Sequence, residues 1–152
     1  MTKGEIKKAR NFRNYKVWQD AVDYATKVYK VTTGMPWFEK KGLCDQLQRA
    51  VVSISSNIAE GAAKPSDADF AHFLDTALGS AFEVETQLLI SKNVGYIKSF
   101  KIDNDNKFNV NVNDDDKDDV NEKGDVTYEE LLSDLQNIER QINGLISTLR
   151  KG

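Results

Sequence analysis

The chain has 152 residues, 39% of them hydrophobic and 30% charged, which suits one domain around a single apolar core and is too short for two. No stretch approaches the roughly 20 apolar residues of a membrane span, the cationic start (Lys3, Lys7, Lys8, Arg10) lacks the apolar block of an export signal, and a lone Cys44 cannot close an intramolecular disulfide, so a cytoplasmic protein with no membrane partner is expected. The net charge of −3 is unevenly spread: residues 99–126 hold nine acids and four bases, while residues 1–50 carry eleven bases and five acids, a basic half that suits an acidic partner or a merely solvated surface.

Apolar residues at helical spacing predict four helices. Helix 1, about 15–32, aligns Trp18, Ala21, Val22, Ala25 and Tyr29 on one face and stops before Gly34, Met35 and Pro36. Helix 2, about 39–62, aligns Leu43, Leu47, Ala50, Val51, Ile54 and Ile58. Helix 3, about 66–93, starts with Ser66 as N-cap and Asp67 and Asp69 in its first turn, carries Phe70, Phe73, Leu74, Ala77, Ala81, Val84 and Leu88, and meets Gly95 as a stop. Between it and the last helix lies an acidic insertion, 99–126, in which Phe100 and Ile102, then Phe108, Val110 and Val112, alternate with polar residues around the turn signal Asp103 to Asn106, the pattern of a small β-hairpin. Helix 4, about 127–150, opens on the capping box Thr127 and Glu130 and carries Leu131, Leu135, Ile138, Ile142, Leu145 and Leu149. The fold class is therefore all-α, an antiparallel up-down four-helix bundle spanning 1–152 as one domain.

The acid run Asp114, Asp115, Asp116, Asp118 and Asp119 invites a calcium loop, which requires glycine at its sixth and glutamate at its twelfth position. A frame starting at Asp103 puts Phe108 and Asp114 there, and one starting at Asp114 puts Asp119 and Asp125. Neither fits, and no metal or other cofactor is expected. Catalysis is not expected either: one histidine, His72, one Cys44, no phosphate loop, no HExxH pair and no nucleophile elbow leave no assembled set.

Two further patterns bear on binding. Helix 1 has a second apolar stripe, Val17, Tyr24, Val28 and Val31, and on helix 2 Val52 and Ala59 point away from the core face, while Phe82 and Leu89 widen the apolar arc of helix 3. Long exposed stripes mark interfaces, so a homo-oligomer built mainly through helices 1 and 2 is expected, with coverage of the helix 1 stripe by the long insertion as the alternative. The other pattern is a polar strip on helix 2, Gln46, Arg49, Ser53, Asn57 and Glu60, facing Gly79, Ser80 and Glu83 of helix 3. Glu85, inside an apolar arc, requires a partner, and Arg49 is the leading candidate. Either these residues form a network that sets helix register, or they hold a ligand or an RNA backbone.

These same residues resemble a known family. Gln46 to Ala50 (QLQRA) followed by Ser53 to Gly61 (SISSNIAEG) is similar to the signature of the four-helix-bundle family encoded in 23S ribosomal RNA intervening sequences. Tyr15 to Trp18 with Ala21, then Phe70, Phe73, Leu74, Ala77, Gly79, Ser80, Glu83, Glu85, Gln87 and Leu88, agree in order and spacing. The likeness covers about residues 12–97, reaches helix 4 only by pattern, and departs at 99–126, where that family uses a shorter link. It implies an antiparallel bundle that assembles into ring-like homopentamers, and says little about activity. A similar bundle is the accessory protein of diversity-generating retroelements, associated with a reverse transcriptase and nucleic acid.

Two functions are therefore expected to compete. In one, a nucleic-acid-associated ring presents Lys7, Lys8, Arg10, Arg13 and Lys16 to phosphates, with steep salt dependence. In the other, the ring is a scaffold or adaptor for a protein partner. An acidic insertion at the same end as these bases weakens the first reading, and one at the opposite end preserves it.

Overall fold

The structure, a computed structural model, describes residues 10–99 and 126–152. Lys7, Lys8, the expected hairpin and the acid run lie outside the described residues. Four helices account for most of the rest: α1 Lys16–Thr32, α2 Leu43–Ala62, α3 Asp67–Asn93 and α4 Tyr128–Lys151, with single 3-10 turns at Phe12–Asn14 and Trp37–Glu39. Each helix packs on its neighbours in the order α1, α2, α3, α4 and back to α1. Cross-helix contacts run in opposite directions: Asp20 with Gln141 and Lys27 with Asp134 between α1 and α4, Asp75 with Arg150 and Lys92 with Tyr128 between α3 and α4, and Ser53 with Ser80 and Gly61 with Phe73 between α2 and α3. The result is the up-down antiparallel bundle, with Leu47, Ile54, Ile58, Phe70, Leu74, Leu88, Leu131, Leu135, Ile138 and Ile142 fully buried along its axis. No helix among the described residues is long and apolar enough to cross a membrane.

The ends follow the local chemistry of the sequence. Ser66 Oγ accepts the Asp69 N–H at 3.1 Å and Thr127 Oγ1 accepts the Glu130 N–H at 3.3 Å, each satisfying one donor that a helix start leaves open. Gly95, at φ 82°, turns the chain out of α3 and lets the Tyr96 N–H return to the Ser91 carbonyl at 2.8 Å. Helix α2 starts four residues later than the apolar spacing suggests. After Pro36 the chain makes a 3-10 turn, and Glu39 reaches forward to accept the Leu43 N–H at 3.2 Å while its other oxygen accepts from the Tyr96 hydroxyl at 3.0 Å.

A larger correction concerns α1. Its core stripe is Val17, Ala21, Tyr24 and Val28, with Val31 half-buried against it, whereas Val22 and Tyr29 are exposed. Both stripes are comparably apolar, and contacts with α4 decide between them. The Tyr24 hydroxyl donates to the Leu131 carbonyl at 3.0 Å, Gln141 Nε2 to Asp20 at 2.8 Å, and Lys27 Nζ to Asp134 at 2.6 Å. These bonds set the rotation of α1 so that Val17, Tyr24 and Val28 serve the bundle's own core, which removes them from the expected oligomer interface.

Candidate interaction surfaces

The polar strip of α2 meets α3 through its small residues. Ser53 Oγ and Ser80 Oγ are 2.7 Å apart, and Asn57 Nδ2 donates to the Ser53 carbonyl at 2.8 Å and to its hydroxyl at 3.0 Å. This is the register-setting network expected for these residues, but the charged members behave differently. Arg49 bonds Asp45 one turn back, at 2.9 Å, and is largely exposed, so it does not neutralise Glu85; Glu60 and Glu83 face solvent. Its position on the wheel points the Arg49 side chain outward past α3, which the apolar spacing alone did not resolve.

Glu85 meets Glu139 of α4 instead. Burial first, then the hydrogen bond and negative charge of Glu85, push the Glu139 carboxyl up to about 7, with Arg140 pulling the other way. Its buried Oε1 has no hydrogen-bond partner among the described residues. A carboxyl raised in the folded state binds its proton more tightly there than in the unfolded chain, so its stabilising contribution is complete below the ordinary carboxyl range and is lost as pH rises toward 7. Glu139→Gln, which keeps a neutral group against Glu85, is expected to flatten the fall in stability between about pH 5 and pH 7 and to add on the order of 1 kcal/mol at pH 8, the shift being discounted for partial exposure. Urea unfolding at both pH values checks this; an unchanged pH slope in the variant would exclude the pair as its source.

The basic residues divide as well. Arg10 donates to the Lys64 carbonyl at 2.9 Å and to the Asp67 carboxylate, with its guanidinium 5.1 Å from the centre of the Phe70 ring. It ties the N-terminal segment to the α2–α3 corner and is not available as a free phosphate contact. Lys16 pairs with Asp20 on the next turn of α1, and Arg13 lies 4.4 Å over the Phe12 ring. All of these sit at the end of the bundle where α2 passes to α3. Ser99 and Val126, which flank residues 100–125, sit at the other end, where the Tyr128 N–H bonds the Lys98 carbonyl and Tyr96 reaches Glu39. Helix α3, 27 residues long, separates the two ends by about 40 Å. The acid-rich segment is therefore attached at the end opposite Arg10, Arg13 and Lys16.

Exposed apolar residues gather on the outer side of the molecule. On α3, Phe82 is 51% exposed, with Leu89 and Ile90 similar, and on the α1–α2 side Val22, Tyr29 and Val52 are exposed, while Ala59 is half-buried. A groove of about 710 Å³ runs between α2 and α3, lined by Gln46, Arg49, Ser53, Phe82, Glu83 and Ile90. A second, of about 360 Å³, lies across α2 and includes Tyr29, Gln48 and Val52; Arg49 and Ser53 line both. So α3 carries apolar residues on its outer side as well as along its buried face, among exposed polar residues such as Asp75, Thr76, Glu83 and Thr86, a pattern that suits partners on two sides. Sequence reading placed Phe82 and Leu89 at the rim of the core arc and overlooked Tyr29 and Ile90 as surface residues. The signal was present in the run Gly79, Phe82, Thr86, Leu89, Ile90, which follows one face opposite the buried Leu74, Ala77, Ala81, Val84 and Leu88. Among the described residues no group of three or more His, Cys, Asp or Glu is arranged to hold a metal ion.

A family model described as 23S rRNA-intervening sequence protein matches residues 13–110, which takes in α1, α2 and α3. No curated protein matches the chain.

Proposed function

The chain belongs to the 23S rRNA-intervening sequence protein family, and on that premise we propose that it is a non-catalytic cytoplasmic bundle that assembles with copies of itself into a ring, pentameric by likeness to the family, and associates with ribosomal RNA or other nucleic acid. The observation that carries the self-association is the outer face of α3, where Phe82, Leu89 and Ile90 are exposed on a helix already buried along its inner face. Burial stabilises apolar surface by about 25 cal/mol per Å², and three large side chains in one row represent a surface that a second molecule would cover. The complementary face is on other helices, Val22 and Tyr29 of α1 and Val52 of α2. Two different patches joining head to tail form a ring when the rotation closes, which supports a ring over a simple twofold dimer.

Phe82→Glu combined with Leu89→Glu is the test. The variant is expected to keep its helical circular dichroism, because both side chains already contact water, and to sediment as a smaller species than the wild-type protein. Unchanged size would remove α3 from the interface and overturn this reading. For the nucleic-acid half, the attachment of the acid-rich segment at the end opposite Arg13 and Lys16 is favourable. The engagement of Arg10 with Asp67 and Lys64 favours the second reading, a ring that docks a protein partner and binds no nucleic acid. Salt-dependent binding of RNA to the purified ring separates the two, and its absence at low salt selects the scaffold.

A further inference from the structure

The corner between α1 and α2 carries a feature that neither self-association nor the basic N-terminal segment explains. Trp37 is 86% exposed and Phe38 56% exposed, the two rings meeting edge to face with centroids 6.1 Å apart and an angle of 80°. An indole left this open forfeits the stabilisation its burial would bring. Beside it is a pocket of about 340 Å³ lined by Thr32, Thr33, Met35, Trp37, Lys40 and Gln48. The floor is apolar, with Met35 and Cys44 buried and their sulfurs 3.4 Å apart. Polar groups stand around the rim: Gln48 donates to the Thr32 hydroxyl at 3.0 Å, and the Thr33 hydroxyl bonds the Lys30 carbonyl at 2.6 Å. Lys40 and Lys41 are exposed and have no ion-pair partner among the described residues. The nearest carboxylate in sequence, Glu39, is already committed to the Leu43 N–H and the Tyr96 hydroxyl.

We propose that the Trp37, Phe38, Lys40 and Lys41 corner is a binding site for single-stranded nucleic acid, with a base stacked on the Trp37 indole at the Thr32–Gln48 pocket and the adjoining phosphates held by Lys40 and Lys41. Exposed aromatic rings beside unpaired cations are the two components of sequence-tolerant single-strand binding, one reading the flat face of any base and the other the backbone. Charge favours this occupant over a protein: the apolar part is two orthogonal rings bordered by lysines, too small and too cationic to match an apolar patch. A duplex, whose bases are stacked on each other, would offer the indole no face. The site rests on the nucleic-acid half of the proposed function and is independent of the oligomer interface. Ser99 and Val126 bring the attachment points of the acid-rich segment to this same end, so its carboxylates are expected to lower the affinity and to flatten its fall with salt, since screening weakens their repulsion as well as the attraction of the lysines.

The experiment uses the full chain and fluorescein-labelled uridine 20-mers, alone and as duplex with adenosine 20-mers, across a salt series. Trp37 is an exposed reporter, while Trp18 packs edge-on against Phe12 at 5.0 Å, so quenching of the red-shifted part of the emission reports stacking at the corner. The wild-type protein is expected to prefer the single strand and to show this quenching. Trp37→Ala, at a surface position that leaves folding intact, should weaken binding by about tenfold, and Lys40→Glu with Lys41→Glu should lower the log–log salt slope by about 0.7 for each lysine. Single-strand binding that neither variant changes would overturn the site and leave the nucleic-acid reading standing on other residues. No RNA binding by the wild-type protein at low salt would overturn both, and preference for the duplex without quenching would overturn the stacking mode.

Discussion

Val17→Glu and Tyr24→Glu are each expected to unfold the protein, as read by loss of the helical circular dichroism signal and of a cooperative melt. Both side chains are at most 4% exposed, and the cations that share a cleft with Tyr24, Lys16 and Lys27, are already paired with Asp20 and Asp134. At Tyr24 the change removes an aromatic ring, at a cost of about 3–5 kcal/mol for a buried aromatic, along with the bond to the Leu131 carbonyl. The new charge must also be buried, at several kcal/mol. Its neighbourhood is already acidic: burial, and then the charges of Asp134, Glu139 and Glu85, raise the tyrosine's own pKa well above its ordinary value. Against a total stability of about 5–15 kcal/mol for a domain, the sum leaves no folded state. A variant that stayed folded but became smaller would return this stripe of α1 to an interface. The contrast with Phe82→Glu and Leu89→Glu is the useful one, since the same chemistry applied to α3 should alter size and spare the fold.

Gly61→Leu is expected to be nearly as damaging, although it adds apolar surface in a helix. A Cβ at position 61 would lie 2.6 Å from Phe73 Cβ, 3.0 Å from Phe70 Cδ1 and 3.3 Å from the Phe70 carbonyl. The first of these is an atom fixed to the backbone of α3, so relief requires the two helices to separate at the point where Arg10 also ties in the N-terminal segment. Overpacking of this kind costs about 1–3 kcal/mol for small additions and more for large ones, so leucine should cost upwards of about 3 kcal/mol. Alanine recovers about 1 kcal/mol of helix propensity and should end about 1–2 kcal/mol down, a fall of several degrees in Tm. Thermal unfolding of the two variants checks the order. An alanine variant as stable as the wild type would show that α2 and α3 do not approach this closely.

The residues that carried the family likeness divide cleanly between these roles. Gly61 closes the signature run because no side chain fits between α2 and Phe73. Ser53, Asn57 and Ser80 are polar because they bond each other across a close α2–α3 contact. Arg49 and Glu83 remain on the open groove, and the pairing of Arg49 with Glu85 was the expectation that failed. On a wheel Arg49 and Glu85 are both adjacent to apolar faces, but Glu85 lies on the α4 side of α3 and Arg49 on the outer side of α2, so the helix between them prevents contact.

Periodicity and capping chemistry are local, and for that reason the sequence by itself determined the number of helices, their order, the starts at Ser66 and Thr127, the stop at Gly95 and the antiparallel run of the first three helices that short links impose. Rotation of each helix about its axis is not local. Two stripes of α1 were about equally apolar, and only the bonds from Tyr24, Asp20 and Lys27 to α4 decided which one faces inward. The same tertiary choice left Phe82, Leu89 and Ile90 outside, turned Glu85 toward Glu139, drew Arg10 into a structural tie and put Trp37 at an open corner, because a side chain's surroundings are set by the neighbours that the packed helices bring to it and not by the residues beside it in the chain.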